Sequence, residues 1–90
     1  MDKINRLIKN KVEFTYQEKV LTGYICKHFQ RKPVSAQIYI VAVGNDIYLI
    51  HETLSHGQTF STEVHKLQAT TDLKELYAGF ISEFNYVQVS

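Results

Sequence analysis

The residues of this sequence that could bind a metal or act as a nucleophile are one cysteine and four histidines. Cys26 and His28 are two residues apart, so on a β-strand their side chains would point to the same face. A zinc site could then be completed from the other histidines, which are His51, His56 and His65. Structural zinc normally uses paired cysteines, and a catalytic Cys–His pair needs a third group to orient the imidazole. The sequence offers neither pattern, so we predict no metal, no cofactor and no catalytic residue.

The sequence also lacks other common catalytic patterns. Glu52 could act with Glu63 or Asp46, but no motif brings these carboxylates together. The four glycines are scattered along the chain and form no phosphate-binding loop. The sequence therefore predicts a protein that binds a partner rather than an enzyme.

Basic residues are concentrated in the first third of the chain. Residues 1–33 hold eight Lys or Arg against three acidic residues, whereas residues 34–90 hold two against six. A basic surface attracts phosphates or acidic proteins, unless the two halves interleave in space and their charges mix. Arg31 and Lys32 precede Pro33 at a predicted loop tip, where side chains are accessible. The cations expected to bind a partner are Lys3, Arg6, Lys27, Arg31 and Lys32.

Two tyrosines add an aromatic candidate. Tyr39 and Tyr48 are predicted to share one face of a β-hairpin, where tyrosines can stack on bases or enter a protein interface. The alternative is that an overlying element covers this face, which would make both tyrosines core residues. Sheet-based RNA readers carry their aromatics in a compact, glycine-rich basic motif, and IYIVAVG contains no charge.

The hairpin itself is the clearest structural feature of the sequence. Two β-rich runs, residues 37–43 and 46–50, flank Gly44-Asn45, which suits a two-residue loop with positive φ at the glycine. Counting outward from this loop predicts a register, in which the facing pairs are Ala42 and Ile47, Val41 and Tyr48, Ile40 and Leu49, Tyr39 and Ile50, and Ile38 and His51. Both faces are apolar. The hairpin should therefore lie in mid-sheet, with a helix on one side and the curl of the sheet or a partner on the other.

The elements before the hairpin are a short helix and two strands. Asp2 is a candidate N-cap for a helix whose apolar face carries Ile4, Leu7 and Ile8. Residues 11–16 alternate as a half-buried strand, and residues 20–29 form a long strand in which Gly23 allows a bend or bulge. One face of that long strand is expected to hold Leu21, Ile25 and Phe29.

The elements after the hairpin are less regular. Residues 51–58 are polar and predict a loop, and residues 59–68 fit either a strand or a helix, with a slight preference for a strand to about Lys66. Residues 72–84 predict a helix that starts at Asp72, carries Phe80 and Phe84 toward the core and approaches a strand at Gly79. A last short strand is expected at residues 86–89.

Together these elements predict an α+β fold, a small single domain covering residues 1–90. Its strongly bent antiparallel sheet of about five strands carries a short N-terminal helix and a C-terminal helix packed on it. The order of helix, strand, bent strand and hairpin over the first fifty residues resembles the opening of an SH3-like or Sm-like barrel. This resemblance concerns architecture alone, since no family motif supports it.

The function expected from these observations is that of a non-enzymatic binding module, of an interaction or inhibitor type. It would engage another protein through a sheet face, a strand edge or the basic loop, including a second copy of the chain through residues 86–89. The alternative is a nucleic-acid-binding protein that uses the basic first third. The longest uncharged stretch, residues 33–45, is shorter than the roughly 20 residues of a membrane helix. With no signal segment and a lone cysteine, the expected location is the cytoplasm, away from membranes.

Overall fold

The computed structural model describes residues 11–31, 35–56 and 58–89. The described elements are β1 (Lys11–Tyr16), β2 (Lys19–Arg31), β3 (Ala36–Val43), β4 (Asp46–Ser55), β5 (Gln58–Leu67), α1 (Leu73–Ser82) and β6 (Tyr86–Gln88). The predicted N-terminal helix falls on residues 1–10, which lie outside the described residues. In the described ranges, no helix has both the length and the apolar character needed to cross a membrane.

The strands form one curled antiparallel sheet, as the sequence predicted, and their order in it is β1-β2-β3-β4-β5. β6 joins the same sheet by pairing with β2. On one edge of β2, the first half pairs with β1 from Lys19 to Tyr24, while the last residues, Phe29 to Arg31, pair with β6. The other edge of β2 pairs with β3. The long strand β2 therefore pairs with both the first and the last strand of the described chain.

The central hairpin, β3 and β4, has the predicted register. All five predicted pairs are present, and the pairing continues outward to Gln37 with Glu52 and Ala36 with Thr53. Gly44 has a φ of +59°, as a two-residue loop that begins with glycine requires. The prediction succeeded because a tight turn fixes the register of every pair that follows it.

A β-bulge at Cys26 changes the faces of β2. The pairing with β3 shifts between Ile25 and Lys27, so the residues after the bulge point to the opposite faces from those that alternation predicts. Leu21 and Ile25 consequently belong to one core cluster and Phe29 to the other. The prediction that Leu21, Ile25 and Phe29 share a face was wrong for Phe29, because an extra residue reverses the alternation.

The two apolar faces of the sheet are covered by different elements. On one face α1 packs over a cluster whose buried members are Phe29, Ala36, Ile38, Ile40, Phe80 and Tyr86. On the concave face the sheet curls over a second cluster, which contains Phe14, Val41, Tyr48 and Ile50. The central hairpin thus has a helix on one side and the curl of the sheet on the other.

Helix α1 begins where predicted. The side chain of its N-cap, Asp72, accepts a hydrogen bond from the backbone N–H of Glu75 at 3.2 Å. Two expectations for this helix were wrong. Phe84 lies beyond the helix end and is 50% exposed, because the last turn closes at Glu83. Gly79 approaches no strand, since a Cβ placed there would meet nothing within 4 Å.

β4 and β5 are longer than predicted. The polar residues after His51 continue β4 to Ser55 instead of forming a loop, and β5 occupies the segment for which a strand was slightly preferred. Polar side chains are tolerated here because β5 lies at the edge of the sheet, where most of its residues are exposed.

Candidate binding site

The two terminal strands of the sheet, β1 and β5, lie near each other without pairing. They are at opposite ends of the strand order, and the curl brings them into contact with no hydrogen-bonded register between them in the described residues. A cleft of about 400 Å³ lies between them. One wall of this concave cleft is β1 from Val12 to Thr15, and the remaining lining residues are Tyr39, Ile50, Glu52, Thr62 and Val64.

A row of polar residues crosses the concave face beside the cleft. Gln30, Gln37, Glu52 and Thr62 are register partners on β2, β3, β4 and β5. The amide Nε2 of Gln37 donates to Oε1 of Glu52 at 2.7 Å, and Nε2 of Gln30 donates to Oε1 of Gln37 at 3.4 Å. Because the carboxylate of Glu52 only accepts, it fixes the orientation of the Gln37 amide.

Tyr39 is the aromatic ring at the base of the cleft's sheet side, and His28 stacks on it from β2. Their rings stack with centroids 4.3 Å apart and an interplanar angle of 12°. His28 Nε2 lies 2.9 Å from Oε1 of Gln37. Since that oxygen accepts, His28 must carry its proton on Nε2 when neutral. The stack and the hydrogen bond together hold the Tyr39 ring at the base of the cleft.

The environment of Tyr39 disfavours an ionised phenol. Partial burial raises the pKa of Tyr39 above its usual value of 10.0, and the negative charge of Glu52 raises it further. At neutral pH the hydroxyl is therefore protonated and can serve both as a donor and as an acceptor.

The charge of the cleft is acidic. Its carboxylate is that of Glu52, on β4, whereas Glu13 alternates with Val12 and Phe14 and directs its side chain to the outer face of β1. No Lys or Arg lines the described cleft. A ligand with a cationic side chain, alternating with apolar ones that contact Ile50 and Val64, would match this lining.

The predicted partner-binding residues that the structure describes lie on both faces of the sheet, with the two cations on the helix-covered face and the two tyrosines on the concave face. Lys3, Arg6 and Lys32 lie outside the described residues. Lys27 is half-buried and pairs with Ile40, with its side chain on the helix-covered face. Arg31 is the last residue of β2 rather than a free loop residue, because it pairs with Tyr86 of β6, and its Nε donates to the carbonyl of Phe84 at 3.2 Å.

The two predicted tyrosines have different environments. Tyr39 lines the concave cleft, but Tyr48 is 5% exposed and packs against Phe14 and Tyr16, with ring centroids 5.2 Å apart in both cases. Tyr48 is therefore a core residue beneath β1 in this structure, in line with the alternative that an overlying element covers the hairpin face.

The candidate metal ligands are also separated. Cys26 is exposed at the bulge and His28 lies on the concave face, whereas His51 and His65 lie on the helix side of β4 and β5. No group of three or more potential ligands is close enough to hold a metal ion in the described part of the chain.

The sequence analysis did not predict that Gln37 and Glu52 pair across the hairpin and belong to one site. The same count that pairs Ile38 with His51 gives Gln37 opposite Glu52 one step further along the hairpin. A cross-strand pair of amide and carboxylate beside Tyr39 was therefore readable from the sequence. The β1 wall was not, since it depends on the curl of the whole sheet.

Comparison with known proteins gives no relative for this chain. No protein-family model matches it, and neither a curated protein nor a solved structure is detectably similar.

Proposed function

We propose that this protein is a non-catalytic binding module that takes up an extended segment of a partner protein. The segment would pair with the free edge of β5 and direct alternate side chains into the concave cleft. The observation that carries this proposal is the geometry of the two terminal strands. Within the described residues, β1 and β5 each have one edge without a strand partner, and the cleft lies between them.

The edge of β5 supports this mode of binding in two ways. β5 is ten residues long and, within the described residues, pairs only with β4, so its outer backbone groups have no strand partner. It also exposes Phe60, whose side chain is 76% accessible. Long edge strands with exposed apolar residues are surfaces on which another strand readily adds.

The acidic lining of the cleft favours partner segments that contain basic residues. A segment that alternates apolar residues with Lys or Arg would place its cation near Glu52 and its apolar side chains on Ile50 and Val64. Charged hydrogen bonds in a partly desolvated cleft contribute more than neutral ones, so the basic residue should dominate specificity.

A selection from a random decapeptide library tests this proposal. The wild-type protein should enrich extended apolar and basic sequences, and Glu52→Lys should weaken their binding at least about tenfold, or 1.4 kcal/mol. Glu83→Lys is the control with the same change of charge, because Glu83 is an exposed glutamate at the C-cap of α1, away from β5 and the cleft. Enriched peptides that bind the Glu52→Lys protein unchanged would show that the cleft is not the site.

Two further measurements distinguish a peptide segment from the two other candidate partners, a second copy of the chain and a nucleic acid. A second copy of the chain as the partner would appear as a concentration-dependent mass in sedimentation experiments. A nucleic acid as the partner would appear as binding to random single-stranded oligonucleotides that falls steeply between 50 and 200 mM salt, unlike a largely apolar strand interface.

A further inference from the structure

The helix-covered face of the sheet has an open groove where α1 ends. This groove of about 380 Å³ lies between the end of α1, β6 and the middle of β4, on the other side of the sheet from the concave cleft. Its lining residues are Arg31, Ile38, Leu49, His51, His65, Phe80, Phe84 and Tyr86. A volume of this size is that of a small-molecule site, typically about 300 to 1,000 Å³.

The base of this groove is apolar. Ile38 and Phe80 belong to the buried core cluster, and Leu49 packs against it. Phe84 forms the open side and is half exposed, although it neighbours buried aromatic residues. The groove therefore keeps apolar surface accessible that a ligand with a hydrocarbon or aromatic body would cover.

One end of the groove holds a fixed cation. The guanidinium carbon of Arg31 lies 5.1 Å above the ring of Tyr86, and its Nε donates to the Phe84 carbonyl. Arg31 forms no salt bridge with any carboxylate among the described residues. Its terminal N–H groups can thus meet an anion without displacing one.

The other polar groups of the groove direct the anion to Arg31. His51 lies between Tyr86, whose hydroxyl is 3.3 Å from Nε2, and Glu63, whose carboxylate is 4.0 Å from Nδ1. His65 faces the same carboxylate at 3.6 Å. A ligand carboxylate beside these histidines would meet the negative charge of Glu63, whereas at Arg31 it would complete an ion pair.

We propose that this groove binds an apolar carboxylate of the fatty-acid class, with its carboxylate on Arg31 and its chain on Leu49, Phe80 and Phe84. A neutral apolar ligand would cover the surface beside Arg31 without pairing with the guanidinium. A cationic ligand would be repelled by the charge of Arg31. This site differs from the proposed peptide cleft in its face, its charge and its ligand, so either can fail without the other.

The test uses decanoate as the probe, at pH 7.5 and below its micelle concentration. Chemical shifts of the ¹⁵N-labelled protein should move at Arg31, Leu49 and Phe84 but not at Glu52 or Thr62 of the cleft. Decanol, which has no charge, should bind at least tenfold more weakly than decanoate. Absence of decanoate binding at millimolar concentration, or equal binding of decanol, would overturn the proposal.

Variants then locate the carboxylate. Arg31→Gln should weaken decanoate binding at least tenfold, and Arg31→Lys should retain part of it. Lys66→Gln is the control, because Lys66 is another partly exposed strand cation but pairs with Asp46 away from the groove. If Arg31→Gln proves unstable, Phe84→Glu gives a second test at an exposed position, where the new carboxylate should repel the probe. Unchanged decanoate binding in the folded variants would contradict the assignment.

Discussion

Gly23 and Gly79 show how strongly the effect of one residue depends on its surroundings. A Cβ at Gly23 would lie 2.5 Å from Cγ1 of Val41 and 2.6 Å from the carbonyl oxygen of Ala42, inside the curl of the sheet. A Cβ at Gly79 would meet no atom within 4 Å. The sequence suggested a close approach at Gly79, because a glycine in a helix invites that explanation, whereas the structure has it at Gly23.

The same substitution should therefore have opposite effects at these two positions. Gly23→Ala is expected to destabilise the protein by about 1 to 3 kcal/mol, since β2 and β3 must move apart to admit the methyl group. Gly79→Ala should stabilise it by up to about 1 kcal/mol, because alanine is the better helix former. Chemical denaturation of both variants beside the wild type measures this difference. Equal effects of the two changes would contradict the tight approach at Gly23.

The phenol of Tyr39 gives a prediction about pH. Burial raises the pKa of Tyr39 and of Tyr77 in the folded protein, so their contribution to stability is fully present below the unfolded value of about 10. That contribution is lost as the pH rises through the folded pKa values. The free energy of unfolding should accordingly decrease as the pH is raised above about 10.

The contribution of Glu52 to the raised pKa of Tyr39 can be separated from that of burial by substitution. Glu52→Gln removes the negative charge beside the phenol, so the pKa of Tyr39 should move back toward 10.0 while burial still holds it above that value. NMR titration of the Tyr39 ring carbon measures the shift. Glu63→Gln, on the opposite face, should leave the titration of Tyr39 unchanged, and an equal effect of both variants would show that the influence of Glu52 is not local.

At the scale of elements, helix α1 is held mainly by Phe80. Its ring centroid lies 5.3 Å from that of Phe29 and 6.1 Å from that of Tyr86, so it joins the helix to β2 and β6. Phe80→Ala should cost about 3 to 5 kcal/mol of unfolding free energy. Ile81, the next residue, is 50% exposed, and Ile81→Ala should cost under about 1 kcal/mol. Thermal and urea unfolding of both variants would test this, and similar losses would mean that α1 faces the sheet differently.

The elements also show what the sequence could and could not predict. The register of β3 and β4 was predictable because one tight turn and clear alternation determine it locally. The position of the bulge in β2 was not, because an extra residue in a strand has no distinctive composition: Gly23 suggested it, but the pairing shifts at Cys26 and moves Phe29 to the other face. The cleft between β1 and β5 was equally hidden, since two strands distant in sequence meet there only through the curl. Of the candidate site, Tyr39 was predicted to bind a partner, whereas Glu52 was named only as a candidate catalytic carboxylate.

At the scale of the whole molecule, β5 is the surface most exposed to unwanted pairing. Phe60 lies on this edge strand with three quarters of its side chain accessible. Phe60→Lys should reduce self-association of the protein at high concentration while changing the free energy of unfolding by less than about 0.5 kcal/mol, because charged edge residues disfavour strand addition. Sedimentation velocity over a concentration series measures this. Identical association of the wild type and the variant would exclude β5 as the contact.

The pairing of β6 with β2 has a consequence for the time course of folding. It joins Phe29 to Gln88, across well over half of the described chain, whereas the other described strand pairs connect neighbours in sequence. Contacts between distant segments must overcome a larger loss of chain entropy, and they form slowly. The hairpins can therefore assemble first, leaving the last residues of β2 with one open edge until α1 docks and β6 pairs with them. During that interval the buried ring of Phe29 is uncovered, so the rate of helix docking limits how long the immature sheet stays vulnerable to aggregation.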